Sequence, residues 1–470
     1  MTAPAQSIPT VRPARADRRP RGPRTLGILA AAAVIVAGSY LASALAPSGS
    51  TTETPTPSAA TIAAPGEISG VAVAGPSGGS LAQIDRSIAT WTKNLSANPS
   101  DFISATNLAT LYHGRGRLSG DLGDQERALT AARTAIAIAP TSGPARALEA
   151  AILYTIHDFT GALAAAESLY RDDPAQLGAL STIADAKLEL GRLVEARADL
   201  ESLRLQAAGP AVDVRFARLA FLTGAPAEAL RLALGAREGA AAAGAAGGSA
   251  TGIGFYQYAV GEYARLAGDA VSARAAYSAA VAERSTDLGA IIGLARIDAA
   301  EGRTPEAIAG LRQAVAIAPQ PESLALLGDL LAATGDAAGA ADQYATVRLV
   351  ATLSELTGTV YDRQLLLFEL DHGGATAELL ARAITASQAR PDAAGHDLVA
   401  WANYRLGRFA EAKIASDIAL ATGIVDARIL LHAGFIEIAL GNGSAGEALI
   451  RHALALGPAL DPAERDEARG

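Results

Sequence analysis

Cysteine is absent from this chain of 470 residues, and lysine, methionine and the aromatic residues are scarce. Without cysteine the chain has no disulfides, no thiolate metal ligands, no cysteine nucleophile and no lipid attachment through an N-terminal cysteine. Aromatic residues make up only 4% of a sequence that is 50% hydrophobic. Alanine dominates the apolar content, which favours closely packed helices over a core of bulky side chains.

Basic residues are also in deficit, because the formal net charge is −9. Residues 1–24 carry six arginines and one aspartate, a charge of +5, which leaves −14 for the remainder. An acidic body of this kind is a poor surface for nucleic acid. We therefore expect no nucleic-acid partner and interpret residues 1–24 as a basic cytoplasmic N-terminus.

One long uncharged stretch, Leu26–Ala46, follows the arginines, and residues 25–46 are predicted to be a transmembrane signal anchor or a signal peptide. Its 21 residues can span a bilayer as a helix, and arginine before it places the body of the protein outside the cytoplasm. The length favours an uncleaved anchor, and cleavage with secretion is the alternative. Residues 47–80 are rich in proline, serine and glycine, which is typical of a flexible linker.

A unit of about 34 residues recurs along the rest of the chain, and Glu301–Pro319 shows it clearly. Gly302 precedes the anchor Ala307 by five residues, and Leu311 and Ala314 follow it at the spacing of one helix face. The same template fits ten positions, namely Ala128, Ala162, Ala196, Ala229, Ala273, Ala307, Ala340, Leu379, Ala412 and Gly446. Glycine opens the turn in nine of the ten units, and His157 replaces it in the second. Each unit is therefore predicted to be two antiparallel helices.

This pattern resembles the tetratricopeptide repeat family, whose 34-residue helix–turn–helix unit has a small residue in the first helix and alanines in the second. Segments such as GDLLAATGDAAGAADQYATV and LVAWANYRLGRFAEAKIASDIAL look like a bacterial group of membrane-anchored or secreted tetratricopeptide proteins. The resemblance covers residues 81–458 and implies an all-α, right-handed superhelical solenoid of about ten repeats. Residues 459–470 are predicted to be a charged, frayed tail.

Three segments depart from the repeat. Leu81–Asn98 is predicted to be a lone helix that caps the stack. Ala240–Gly254 is predicted to be a loop between two units, and Ala351–Val360 an irregular segment before an atypical first helix.

Motifs for catalysis or cofactors are weak. Gly441–Gly446 matches G-x-G-x-x-G, but it falls on an inter-helix turn, whereas a dinucleotide site needs a preceding strand. His432 and His452 lie on the two helices of the last unit, without a carboxylate in the pattern, which is a weak metal site. We expect no catalytic, cofactor-binding or metal residues, and a protein that is not an enzyme.

The residue eleven positions before each anchor forms a ladder that the family resemblance places on the concave face. The ladder alternates in charge and then becomes aromatic, running Asp185, Arg218, Glu262, Arg296, Asp329, Phe368, Trp401 and Phe435. Tyr361 and Tyr404 lie near the aromatic part. These ten residues are the predicted binding residues, and Phe368, Trp401 and Phe435 are expected to lie near each other.

Each half of the ladder has two interpretations. The charged half forms either ion pairs between repeats or a polar groove for an extended peptide. The aromatic half forms either a pocket or a cluster that Ala351–Val360 covers.

The predicted function is a cell-envelope scaffold that binds a protein or peptide on its concave surface, without a cofactor. The alternative is a receptor for a small molecule or glycan in an aromatic pocket around Trp401.

Overall fold

The computed structural model describes residues 81–119, 121–245, 253–357 and 362–469. The predicted N-terminal segments and Tyr361 lie outside these ranges. The described chain is all-α, and its helices are α1 (Leu81–Ala97), α2 (Phe102–Ser119), α3 (Leu122–Ile138), α4 (Gly143–Thr155), α5 (Phe159–Asp172), α6 (Leu177–Glu189), α7 (Leu193–Gln206), α8 (Pro210–Leu222), α9 (Pro226–Ala245), α10 (Ile253–Leu266), α11 (Ala270–Glu283), α12 (Leu288–Ala300), α13 (Thr304–Ile317), α14 (Pro321–Ala333), α15 (Ala337–Thr357), α16 (Asp362–His372), α17 (Ala377–Ala389), α18 (Ala393–Arg405), α19 (Phe409–Leu420), α20 (Ala427–Ala439), α21 (Gly443–Ala455) and α22 (Pro462–Glu467).

The helices from α2 to α21 form ten consecutive pairs, numbered here as units one to ten, and α1 packs on the first of them. The first helix of a unit is covered nearly all round, as in α10, whereas the second helix buries only one face, as in α11. The first helices therefore form the inner layer and the second helices the outer layer. The predicted all-α helical-repeat superhelix is confirmed.

The turn inside a unit requires one residue in the left-handed region. Gly302 adopts φ 78° there, which glycine accepts without the steric penalty of a Cβ atom. His157 occupies the same position in the second unit with φ 63°, and it is the one described non-glycine residue with positive φ. Side-chain caps then start the following helix, as when Asp158 accepts a hydrogen bond from the backbone N–H of Gly161.

Three expectations about irregular segments are wrong. The helix α15 continues through Ala351–Thr357, because nothing in that stretch stops a helix, so the segment is not irregular as far as Thr357. In the same way α9 continues through Ala240–Ala245 instead of forming a loop. The C-terminal tail is not frayed, because α22 is anchored by ion pairs and hydrogen bonds to two other units.

The superhelix closes on itself, which the repeat pattern does not predict. Units three, four and five each bring their turn glycine against the chain roughly 200 residues later. An added Cβ atom would lie 2.7 Å from the carbonyl oxygen of Pro391 at Gly191, and 2.0 Å from that of Gly423 at Gly224. Gly268 approaches Leu456 in the same way. We call this line of contacts between successive superhelical turns the seam.

Polar contacts continue the seam at both ends. The guanidinium of Arg390 forms an ion pair with Glu189, and its Nε donates to the backbone oxygen of Glu189 at 3.2 Å. At the other end, Arg465 of α22 donates to the carbonyl oxygens of Ala300 and Ala299 at 2.8 and 3.2 Å. These carbonyls lie in the last turn of α12, where that of Ala299 also accepts from the Gly302 N–H at 3.2 Å, so α22 adds donors to the C-terminal end of α12.

Within the described ranges no helix is sufficiently long and apolar to cross a bilayer. The predicted anchor, Leu26–Ala46, lies outside those ranges, so membrane attachment stays a prediction.

Candidate binding site on the first helices

The charged ladder residues are paired between successive first helices. Asp185 of α6 accepts two hydrogen bonds from Arg215 of α8, at 2.9 Å from Nε and 2.9 Å from Nη2. Both side chains are buried, and burial raises the pKa of Asp185 against the opposing effect of Arg215. Four residues further along α6, Glu189 pairs with the ladder residue Arg218 at 2.9 Å. Two ion pairs thus join α6 to α8.

Glu189 also receives Arg390 from the next superhelical turn, so it links α6 and α8 to the connection between α17 and α18. Burial alone would raise the pKa of Glu189, but Arg218 and Arg390 outweigh burial, and its pKa lies below the usual value. Beside it, burial and the Arg390 charge lower the pKa of His157 to about 4. His157 is therefore neutral at neutral pH.

The ladder residues Glu262 and Arg296 also form ion pairs, but not with each other. Glu262 accepts a hydrogen bond from the Tyr277 hydroxyl and pairs with Arg265 at 3.1 Å, one turn along the same helix. Arg296 of α12 pairs with Glu322 of α14 at 2.6 Å. Burial opposes ionisation of Glu322, but Arg296 prevails and lowers its pKa to about 2.

Asp329 and Phe368 belong to one cluster around His372. Asp329 accepts hydrogen bonds from the Tyr344 hydroxyl at 2.6 Å and from His372 Nε2 at 2.7 Å. Phe368 stacks on His372 with ring centroids 4.6 Å apart. Burial lowers the pKa of His372, but Asp329 outweighs it, and the net pKa is raised. This cluster joins α14 to α16.

Trp401 lies at the centre of a second aromatic cluster. Its ring is sandwiched between His432, with centroids 4.0 Å apart, and Tyr404, with centroids 5.0 Å apart. Phe435 lies 6.3 Å from Trp401. The indole N–H donates to Asp371 at 2.8 Å, and only 1% of Trp401 is exposed. With both faces covered, Trp401 has no surface to offer to a small molecule or glycan, so the predicted pocket is absent there.

The titratable group stacked on Trp401 is His432. Its Nδ1 lies 2.9 Å from a carboxylate oxygen of Asp397, on the preceding first helix. Burial lowers its pKa, but Asp397 outweighs burial, so the net pKa of His432 is raised. His452 is exposed and does not share this position. Within the described parts of the chain no group of three potential ligands could hold a metal ion.

A cavity of about 50 Å³ opens beside the first half of the ladder. Asp185, Arg218 and Glu262 line it together with aromatic and aliphatic side chains, namely Tyr154, Leu188, Val214, Phe255, Tyr258 and Tyr263. A cavity of this size holds a few waters or a small apolar side chain, since one water needs roughly 10–15 Å³. The walls combine rings with satisfied ion pairs, which suits a single side chain of a bound polypeptide.

The structure thus brings three of the predicted binding residues to one cavity and separates the others. Arg296, Asp329 and Phe368 are held in packing clusters, and Phe368 lies in a different core cluster from Trp401. The expectation that Phe368, Trp401 and Phe435 form one group is therefore wrong for Phe368. That residue faces α15, whereas Leu366 and Leu370 of the same helix face Trp401.

The charged residues that accompany the ladder on the first helices are not among the predicted binding residues. Arg215, Glu189 and Arg265 each lie one helical turn from a ladder residue, at a spacing of three or four. A signal was present, because α6 and α8 carry opposite charges at this spacing. His372 and His432 occupy the equivalent inner face in the last units.

The chain is by its geometry a helical-repeat solenoid. Residues 264–330 match the model of the family described as tetratricopeptide repeat. A comparison with curated protein sequences finds no match. Residues 264–330 therefore carry tetratricopeptide repeats, as the pattern of the units predicts, and such repeats support a protein-interaction scaffold as the class of function.

The solved structures similar to this chain share little sequence identity with it and have low TM-scores. A tetratricopeptide repeat protein from Parabacteroides merdae is 14% identical with a TM-score of 0.40, over 50% of this chain and 87% of its own. Human IFIT1, solved as a dimer with PPP-AAAA, is 14% identical with a TM-score of 0.43, over 80% and 87%. YrrB, described as a tetratricopeptide protein with an unusual peptide-binding site, is 13% identical with a TM-score of 0.23, over 49% and 93%. At such identities and scores, nothing about function is transferred from them.

Proposed function

We propose that this protein is a non-enzymatic scaffold that binds a protein or peptide partner through the cavity on its first helices. The observation that carries the proposal is the cavity, because ladder residues from three successive units, Asp185, Arg218 and Glu262, converge on it. A bound chain would place one apolar side chain against Phe255 and Tyr258 and align its backbone along the ion pairs.

The location belongs to the proposal as well. The uncharged stretch Leu26–Ala46 follows six arginines, and a linker separates it from the repeats. These features support a scaffold held outside the cytoplasmic membrane by one N-terminal helix, with a partner in the cell envelope. Cleavage of that helix would give a secreted scaffold with the same binding site.

Affinity capture with a cavity-filling variant tests the proposal. Ala259 lines the cavity on α10, so Ala259→Leu fills it with an apolar side chain. Ala227 is exposed on α9, so Ala227→Leu adds the same atoms away from the cavity. Each protein is immobilised and exposed to detergent-solubilised envelope extract, and bound proteins are identified by mass spectrometry.

We expect a protein that is retained by the wild type and by Ala227→Leu and lost with Ala259→Leu. Retention by all three proteins would contradict binding at the cavity. Circular dichroism of each variant confirms that its helices remain folded, so that loss of binding is not loss of structure.

A further inference from the structure

The seam differs from the other interfaces of the superhelix in how little apolar surface it joins. Among the described hydrophobic clusters, one contains residues from both superhelical turns. It packs Ala393, Ala419, Ile424 and Ile429 of the later turn with inner residues of units four and five. The other clusters lie within a unit or between adjacent units, as in the core around Leu200 and Leu203.

Polar groups and close backbone approaches make up the rest of the seam. Its polar contacts include the Glu189–Arg390 and Arg296–Asp461 pairs and the Arg465 hydrogen bonds. Gly191, Gly224 and Gly268 allow the backbones to meet. The four apolar side chains that the later turn contributes stabilise the seam less than the continuous cores stabilise adjacent repeats. Segments joined in this way open with a free energy below that of global unfolding.

The seam also borders the cavity. Glu189 lines the cavity and takes Arg390 from the later turn. Phe255, Ala259 and Tyr263 line the cavity, and they share the cluster that contains Ala393 and Ile424. Parting the two turns would therefore turn the cavity into a wider groove along α8 and α10.

We propose that the seam opens as a unit while the repeats stay folded, and that its open state exposes an interaction surface on α8 and α10. In the closed state this surface holds the chain's own residues 390–429, which supply small apolar side chains and one guanidinium. The partner that fits is accordingly an apolar polypeptide segment with a basic residue that replaces Arg390 on Glu189. The identity of this partner rests on the proposed function, whereas the opening of the seam does not.

Two spin labels measure the opening directly, because the chain has no cysteine of its own. Ala227→Cys and Ala421→Cys place labels at exposed positions on the two sides of the Gly224–Gly423 contact. Gly224→Asn keeps a residue that tolerates the left-handed turn, but its side chain meets the Gly423 carbonyl. Gly302→Asn is the matched control, since it has the same backbone conformation and no atom within 4 Å of an added Cβ.

We expect one short label distance in the wild type and in Gly302→Asn, and a longer distance in Gly224→Asn and in Arg390→Ala. Arg390→Ala leaves Glu189 paired with Arg218, so no buried charge is stranded. Unchanged distances in folded seam variants would overturn the proposal. In case a variant does not fold, the wild type is titrated with urea, and the labels should separate before helicity is lost. Coincident transitions would also overturn it.

The exposed surface is tested with a synthetic fluorescent peptide that copies residues 387–429, and with its Arg390→Ala version. If the closed seam masks the surface, the wild type should bind the peptide about tenfold or more weakly than Gly224→Asn does. The Arg390→Ala peptide should bind both proteins less tightly. Equal binding of the peptide to both proteins, with the labels separated in one of them, would show that opening occurs but exposes no such surface. Failure of the capture experiment alone would leave these two results unaffected.

Discussion

The first helices of the array are joined by different chemistry in its middle and at its C-terminal end. In units three to seven the bridging cation is arginine, as in Asp185–Arg215 and Arg296–Glu322. Towards the C-terminal end histidine also takes this role, as in Asp329–His372 and Asp397–His432, beside the arginine pair Arg363–Asp392 that joins α16 to the start of α18. The stacked rings around Trp401 accompany the second type. Corresponding positions of the repeat therefore join neighbouring first helices through two kinds of side-chain pair.

The two kinds of bridge respond differently to pH. Arginine stays charged throughout the physiological range, whereas a histidine bridge depends on protonation. His372 and His432 have raised pKa values because their carboxylate partners outweigh burial. At the N-terminal end the opposite holds, since burial lowers the pKa of His113 to about 3 and that of His157 to about 4. The two ends are thus stabilised by opposite changes of pH.

The largest expected effect is the loss of a buried arginine bridge. Arg215→Ala leaves Asp185 buried without its main partner, which should lower the free energy of unfolding by about 3–5 kcal/mol. The loss should be similar at neutral and mildly alkaline pH, because neither partner titrates there. Urea denaturation measures it. Arg231→Ala is the control, because it removes a pair with Glu228 that is exposed to solvent and contributes little to stability. Equal losses in the two variants would contradict a special role for the buried bridge.

A smaller effect, restricted by pH, is expected at the histidine bridge. Asp397→Asn keeps the size of the side chain and removes its charge, so about 1.5–3 kcal/mol should be lost where His432 is protonated. Because the folded pKa is raised, the wild-type bridge is complete below pH 6.5 and is lost as pH rises through the folded pKa. The variant should therefore differ from the wild type at about pH 6 and approach it at about pH 9.

Thermal denaturation at the two pH values, followed by Trp401 fluorescence in a Trp91→Phe background, measures this difference. If Asp397→Asn is less stable than the wild type by the same amount at both pH values, the interpretation that His432 is protonated would be contradicted. Persistence of the wild-type pH dependence in the variant would assign that dependence to another group.

The smallest effect at neutral pH is expected at the opposite end. His157→Gly restores the usual turn residue and relieves a left-handed conformation, while it loses stacking on Phe159. The net change in the free energy of unfolding should be about 1 kcal/mol or less.

The charged groups that face His157 are Glu189, Arg390 and Arg363. Because the pKa of His157 is lowered in the folded protein, the stability of the wild type should fall as pH drops from 6.5 towards 4. The stability of His157→Gly should fall less over the same range. Unfolding curves at both pH values check this, and an unchanged acid response would exclude His157 as its source.

The repeat pattern predicts the unit but not the way the units meet at a distance. Ala307, Leu311 and Gly302 define a helix pair because their spacing acts within about ten residues. Contacts such as Glu189–Arg390 join residues 201 positions apart. They depend on small rotations that add up over five or six units, and on irregular lengths such as that of α15, which the local pattern does not contain.

The same reasoning explains why the candidate site was only partly predicted. The ladder positions are on the inner layer, but closure and the Arg215 and Glu189 partners turn most of them into structural contacts. Trp401 illustrates this best. A rare aromatic residue at an inner position suggests a binding surface, yet His432 from the next unit covers one face and Tyr404 the other.

Solvent access to Trp401 therefore tests most directly whether the inner face is closed. The chain has two tryptophans, so Trp91→Phe leaves Trp401 as the single fluorophore. Acrylamide quenching of this variant is compared with that of the same protein in concentrated urea. The buried, doubly stacked indole should emit at short wavelength and be quenched weakly until the protein unfolds. Strong quenching of the folded protein, close to that of the unfolded chain, would mean that this part of the inner face is open and would contradict the burial of Trp401 between His432 and Tyr404.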